Sequence, residues 1–137
     1  MGLFRKKAAD RDIALLSGSG NYAYRNVVGE SHYRKELMQI IAQAPAEERE
    51  NGEVFMQALL VKEPTNAFDP KAIMVLVDMK KVGYIGRDET APFHRLMNDM
   101  GKRGLSSDQV GCLALIGWNE KNADPVIGVR LDFDPTD

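Results

Sequence analysis

The chain has 137 residues, 44% of them hydrophobic and 28% charged, a balance that excludes a wholly disordered protein and allows a core without covalent staples. One cysteine and two histidines exclude a disulfide framework and a cysteine-built zinc cluster within the chain, and a net charge of −2 excludes a generically basic nucleic-acid binder. No apolar run approaches the roughly 20 residues that span a bilayer, and Met1-Gly2-Leu3-Phe4-Arg5-Lys6-Lys7 lacks the apolar stretch of a signal peptide, so a cytoplasmic protein is expected.

Residues 1–20 read as a basic, flexible tail ending in the spacer Ser17-Gly18-Ser19-Gly20, with Ile13, Leu15 and Leu16 available to dock, and residues 21–137 as one folded domain. Residues 22–28 are aromatic and β-branched and predict a strand ended by Gly29. Tyr33, Leu37, Ile40, Ile41 and Ala44 recur at helical spacing, with Ser31 as an N-cap and Pro45 as a stop, which predicts a helix over 32–44. The acidic stretch 46–52 reads as a loop. Residues 53–62 are apolar on both alternating faces, as in a central strand or one curved around a barrel core. Glu63-Pro64-Thr65-Asn66-Ala67-Phe68-Asp69-Pro70 cannot continue a ladder and reads as a loop carrying one aromatic. Residues 72–78 and 82–86 then predict a hairpin turning at Met79-Lys80-Lys81.

Phe93, Leu96, Met97 and Met100 predict a second helix, about 91–103, with Pro92 near its start and Gly101 or Gly104 closing it. Val110, Cys112, Ala114, Ile116 and Trp118 alternate as a strand, followed by a polar loop with Asn122 and Pro125 and a last strand carrying Ile127, Val129, Leu131 and Phe133. Six short strands and two singly interposed helices point to a mainly β (α+β) fold, a small OB-like barrel with helical caps rather than a doubly wound sheet. Charge alternates along the chain: residues 1–35, 36–70, 71–105 and 106–137 carry +4, −5, +3 and −4. A basic face assembled from the first and third segments is one reading of that pattern, scattered solvated charge the other.

The residues of nucleophilic or metal catalysis do not assemble in this sequence. Cys112 sits in an alternating strand as an inert buried thiol, His94 follows the first apolar residue of a helix, and His32 starts a helix where capping or packing accounts for it better than catalysis. There is no Gly-x-Ser-x-Gly, P-loop, Rossmann glycine pattern or His-Glu-x-x-His. Glu47/Glu48 and Asp88/Glu89 read as solubility or helix-dipole charge. The expectation is a non-enzyme without cofactor, metal or small-molecule substrate.

The informative stretch is Leu60-Val61-Lys62-Glu63-Pro64-Thr65-Asn66-Ala67-Phe68-Asp69-Pro70-Lys71-Ala72-Ile73-Met74-Val75, followed by Lys81-Val82-Gly83-Tyr84-Ile85-Gly86-Arg87. This resembles the HIRAN domain, whose pattern is a strand, then Glu/Asp-Pro-x-Asn-x-aromatic-Asp-x-x-Ala-Ile/Val, then Val-Gly-aromatic/His-Ile/Leu and a basic residue. Val27-Val28-Gly29-Glu30-Ser31-His32-Tyr33 resembles the opening of stand-alone bacterial members, so the likeness covers about 22–133. It implies a modified OB-like barrel that binds DNA, in the best understood members a reader of single-stranded 3′ ends fused to helicase-like translocases. Any helicase or nuclease partner of this module is then a separate protein. By position, the resemblance implies that Phe68 stacks on the terminal base, Asp69 accepts a hydrogen bond from the free 3′-hydroxyl, Asn66 shapes the loop, Tyr84 lines the pocket and Arg87 meets a phosphate, with Lys71 beside them. End-binding members carry an Arg-Tyr pair on the first strand; Tyr22-Ala23-Tyr24-Arg25 stands there, so Tyr22, Tyr24 and Arg25 are the candidates to supply that contact from neighbouring positions.

Physical chemistry supports the same roles. Stacking on an aromatic ring is worth about 1–3 kcal/mol per base without demanding a sequence. An ionised carboxylate accepts from a hydroxyl and repels a phosphate, which selects an end over a continuous strand. Arg87, with Lys80 and Lys81 near it, would supply the sequence-independent phosphate attraction. Asn66 and Asp69 also fit an ordinary Asx-turn before proline, Phe68 a ring folded back into the core, and Tyr84 a plain strand aromatic. A protein-docking module using the 46–53 stretch or a strand edge is the second functional class, and a hydrolase the third.

Overall fold

The computed structural model describes residues 11–118 and 126–135; the basic residues Arg5, Lys6 and Lys7 and the polar loop with Asn122 and Pro125 lie outside them. The elements run β1 (Ala14–Leu15), β2 (Val27–Val28), a 3₁₀ turn (Glu30–Tyr33), α1 (Arg34–Gln43), α2 (Ala46–Asn51), β3 (Glu53–Lys62), β4 (Ile73–Val77), β5 (Lys80–Ile85), a second 3₁₀ turn (Arg87–Glu89), α3 (Thr90–Lys102), β6 (Gln109–Trp118) and β7 (Ile127–Leu131). The fold is mainly β, with one mixed seven-stranded sheet among the described residues, ordered β1-β6-β3-β4-β5-β2, and β7 on the same edge of β6 as β1. The long antiparallel β3–β6 ladder, from Glu53↔Gly117 to Val61↔Gln109, is its spine.

The sheet is open among the described residues. Among the described residues, the segment before β2 pairs with β7 in one isolated bridge, Tyr24 with Leu131, whose two backbone bonds measure 3.2 and 3.0 Å. The expected strand over 22–28 shortens to Val27–Val28: Tyr22 adopts φ 47°, outside any strand conformation, and Tyr24 makes an isolated bridge instead of joining a ladder. The N-terminal boundary also moves. Ala14 and Leu15 pair in parallel with Val110 and Gly111, and the backbone N–H groups of Gly20 and Tyr22 donate to the Asp132 carboxylate at 3.0 to 3.1 Å, so residues 14–20 belong to the folded unit rather than to a tail.

The described residues therefore hold seven strands and three α-helices against the six and two expected. The acidic stretch 46–52 is helical: Pro45 starts α2, Glu47 and Glu48 sit in its first turn where the helix dipole favours them, and Gly52 closes it at φ 72°. The helix predicted over 32–44 divides into the 3₁₀ turn and α1, and Ser31 makes no capping hydrogen bond. The second predicted helix is α3, closed by Gly104 at φ 84°. The hairpin turns at Asp78-Met79, which leaves Lys80 and Lys81 in β5.

Leu37 and Ile40 of α1 and Phe93, Met97 and Met100 of α3 join the inward side chains of the strands, among them Leu60, Val75, Val110, Ile116 and Leu131, in one core. Gly83 is required where β2 crosses close to β5: a side chain there would meet the Val28 carbonyl at 2.8 Å. Among the described residues no helix is long and apolar enough to cross a membrane.

Candidate nucleic-acid interface

The loop between β3 and β4 builds itself from local hydrogen bonds. Asn66 is its keystone: its Oδ1 accepts from the Phe68 and Asp69 N–H groups at 2.9 and 3.0 Å, and its own N–H donates to the Glu63 carbonyl at 3.0 Å. Asp69 Oδ1 accepts from Lys71 N–H at 3.0 Å, and Pro64 and Pro70 stiffen both limbs. The loop is thereby closed on itself while the Phe68 ring projects outward, 93% exposed. The Asx-turn reading and the ligand reading of Asn66 are thus compatible, and the reading in which Phe68 folds back into the core is excluded. Across the loop, α3 contributes His94, whose Nε2 lies 2.9 Å from the Lys71 carbonyl.

Beside the ring lies a cavity of about 390 Å³ lined by Asn66, Phe68, Asp69, Tyr84 and Arg87, with Val28, Ala72 and Ile85 as its apolar remainder. Five of the nine residues singled out in the sequence therefore meet at one place, and Lys71 is exposed in the same loop. Arg87 is 83% exposed, with Nε 3.8 Å from Asp69 Oδ2, an ion pair at a separation and exposure that cost little to exchange.

The three first-strand candidates are elsewhere. Tyr24 is 4% exposed, stands edge-on to Phe93 at 5.3 Å and directs its hydroxyl to the Asn26 carbonyl and Glu89, so it has no free face for a base; burial, then Glu89, raises its pKa. Tyr22 stands edge-on to Phe55 at 5.5 Å, with its pKa raised by burial and then by Asp132. Arg25 is exposed but does not line the cavity.

A polar network that sequence reasoning missed lies under the loop. The Tyr84 hydroxyl donates to Glu63 Oε1 at 2.8 Å and accepts from Lys81 Nζ at 2.9 Å, Lys81 Nζ also meets Glu63 Oε2 at 2.9 Å, and Asn66 Nδ2 donates to Glu63 Oε1 at 2.8 Å. Burial opposes the charge on Glu63, but the bonds from Lys81, Tyr84 and Asn66 outweigh it and hold the carboxyl below its ordinary value. The bond to Tyr84 and then that to Glu63 hold the Lys81 ammonium above its ordinary value. Tyr84 is raised, by burial first and then by its bond to Glu63, against the opposing pull of Lys81.

Residues 81 and 84 of a regular strand face opposite sides. They share a side here because the β4–β5 register shifts between Val75 and Leu76, pairing Val75 with Gly83 but Leu76 with Lys81, so Val82 is an extra residue. The network also corrects the expected phosphate contacts: Lys81 is committed to Glu63 and Tyr84, and Lys80 is 3.5 Å from Asp78. The signal for Glu63 was its place three residues before Asn66, the spacing of a turn; the sequence marked Lys81 only as a cation for phosphate.

Cys112 is buried, its thiol pushed up to about 12 by burial and then by Asp132, which keeps it protonated and unreactive. Among the described residues no three His, Cys, Asp or Glu side chains group to hold a metal ion. No protein-family model, no curated protein and no solved structure matches the chain.

Proposed function

We propose that this protein is a non-catalytic DNA-binding module of HIRAN type that engages single-stranded DNA at the Phe68 cavity and prefers a free 3′ end. The observation that carries the reading is the outward Phe68 ring, 93% exposed beside a cavity on a loop whose own hydrogen bonds hold it out. Leaving a phenylalanine in water forgoes about 1.5–3 kcal/mol of burial, and a base stacked on it returns an energy of the same size. A volume near 390 Å³ is at the small end for ligand pockets and suits one terminal nucleotide. Asp69 Oδ2, with Arg87 3.8 Å away, accepts the terminal hydroxyl while Arg87 turns to the adjacent phosphate. The OB-like barrel belongs to the same proposal, supported by the Tyr24–Leu131 bridge that draws β7 toward the β2 segment. So does a cytoplasmic setting in which a separate helicase or nuclease acts on the bound end.

A protein-docking module is favoured by one observation: the charges of Glu63 and Asp69 are met by Lys81 and Arg87, which leaves a nearly neutral cavity with apolar walls. Fluorescence anisotropy of a 5′-labelled oligothymidylate with a 3′-hydroxyl or a 3′-phosphate separates the two readings. The hydroxyl end is expected to bind more tightly, with Phe68→Ala weakening it about five-fold or more and Asp69→Ala erasing the preference for the hydroxyl. With Lys71 and Arg87 as the rim cations, raising salt from about 50 to 200 mM weakens binding only about seven-fold, the slope of two phosphate contacts on a single strand. Absence of binding to either strand at about 50 mM salt overturns the DNA reading in favour of a protein partner.

A further inference from the structure

We infer that Glu63 and Lys81 are positioning residues of the Phe68 cavity, setting Phe68, Asp69 and Tyr84 from beneath the loop without contacting a ligand. The inference rests on reading that cavity as a ligand site, and the path is continuous on the page. Glu63 Oε1 accepts from the Tyr84 hydroxyl and from the Asn66 amide, and Oε2 accepts from the Lys81 ammonium. An amide that gives its Nδ2 to Glu63 must turn its Oδ1 the other way, and that oxygen receives the Phe68 and Asp69 N–H groups. The carboxylate therefore decides which way Asn66 faces, and Asn66 decides where the loop places its ring and its acid. Lys81 is part of the device because its charge keeps both carboxylate oxygens as acceptors, and the extra residue Val82 brings it alongside Tyr84.

A glutamine at position 63 separates positioning from mere stability. It keeps one acceptor and gains an NH₂. The Lys81 ammonium takes the acceptor, the NH₂ turns toward Asn66, and Asn66 must flip, withdrawing Oδ1 from Phe68 and Asp69. Replacing Lys81 by methionine removes the competitor and lets the glutamine oxygen return to Asn66. In ¹H–¹⁵N spectra of the free protein, Glu63→Gln is expected to shift the Phe68 and Asp69 amides and speed their exchange about ten-fold while the β3–β6 ladder stays in place. Affinity for the 3′-hydroxyl oligothymidylate falls roughly three- to ten-fold as the loop loses its preorganisation. The double variant Glu63→Gln/Lys81→Met is expected to recover both. Unmoved Phe68 and Asp69 amides in Glu63→Gln, or a double variant no better than the single one, overturn the inference. If Glu63→Gln does not fold, Glu63→Asp, which withdraws the carboxylate by one methylene, carries the same amide measurement with the same expected shift. If the wild type binds no strand, the functional reading fails, and the amides of the free protein still decide the positioning.

Discussion

The loop 63–71 and the segment 20–26 are both irregular, both carry aromatic and amide side chains, and both are tied to carboxylates, yet one turns its ring to solvent and the other to the core. In the loop the partners of Asn66 are local, Glu63, Phe68 and Asp69 within three residues, while Glu63 and the Lys71 carbonyl tie its limbs to β5 and α3. In the segment they are distant: Gly20 and Tyr22 donate to Asp132, and Asn26 and Tyr24 to Glu89. Local satisfaction frees the loop from the core, so its aromatic can be left exposed without orphaning backbone groups. Distant satisfaction makes the segment part of the core's construction, and its tyrosine is spent on packing. That difference separates Phe68 from Tyr24 as binding candidates, although both read as available aromatics in the sequence.

The sharpest way to break this contrast is to remove each ring. Tyr24→Ala empties a buried site against Phe93 and is expected to cost about 3–5 kcal/mol, lowering the urea midpoint accordingly. Phe68→Ala removes a ring that packs on little and should change stability by no more than about 0.5 kcal/mol, while its effect falls on ligand affinity. Equal stability losses in the two variants would show that the loop leans on the core after all.

The same contrast explains how much could be read beforehand. β4, β6, β7, α1 and α3 were legible because burial imposes period 2 or 3.6 on them, β3 because its run is apolar on both faces, and the loop because prolines, Asn66 and Asp69 announce a turn with a mechanism. The five cavity residues came into view through the resemblance that the two motif segments carry. What stayed hidden depends on long-range or irregular geometry. Tyr22 at φ 47° breaks an apparently good strand, the Asp132 clamp makes residues 14–20 part of the domain, and the extra Val82 reverses the facing of Lys81 relative to Tyr84. The 46–52 stretch hid its helix because six residues without a buried side chain show no apolar period.

Acidity gives a smaller and more selective test. The Glu63 carboxyl is held below its ordinary value, so the stability it contributes is fully present above that value, about 4.5, and is lost as the pH falls through it toward the folded pKa. Lys81 and Tyr84 are both held above their ordinary values, so their contributions persist below about pH 10 and disappear as the pH rises further. The stability gap between wild type and Glu63→Gln in urea titrations is therefore expected to be widest near neutrality and to narrow below about pH 4.5. A gap that stays constant down to about pH 3 would mean that Glu63 acts through its shape and not its charge.

The smallest effect is expected at the tip of the hairpin. Asp78 and Met79 occupy a two-residue turn with φ 52° and 59°, the left-handed pair of a type I′ turn, in which the second place favours glycine. A side chain in that region costs about 1–2 kcal/mol, of which glycine gives back part through its freedom in the unfolded chain. Met79 is largely exposed and loses no packing when removed, so Met79→Gly is expected to stabilise the protein by roughly 0.5–1 kcal/mol, a rise of about 2–4 °C in Tm by calorimetry. The substitution lies at the turn and leaves the bonds from Lys81 and Tyr84 to Glu63 in place. Because the loop is tied to β5 through Lys81 and Tyr84 and not through the turn, the amides of Phe68 and Asp69 and the affinity of the cavity should stay where they are; a change in either would mean that the conformation of the turn is relayed through Lys81 to Glu63.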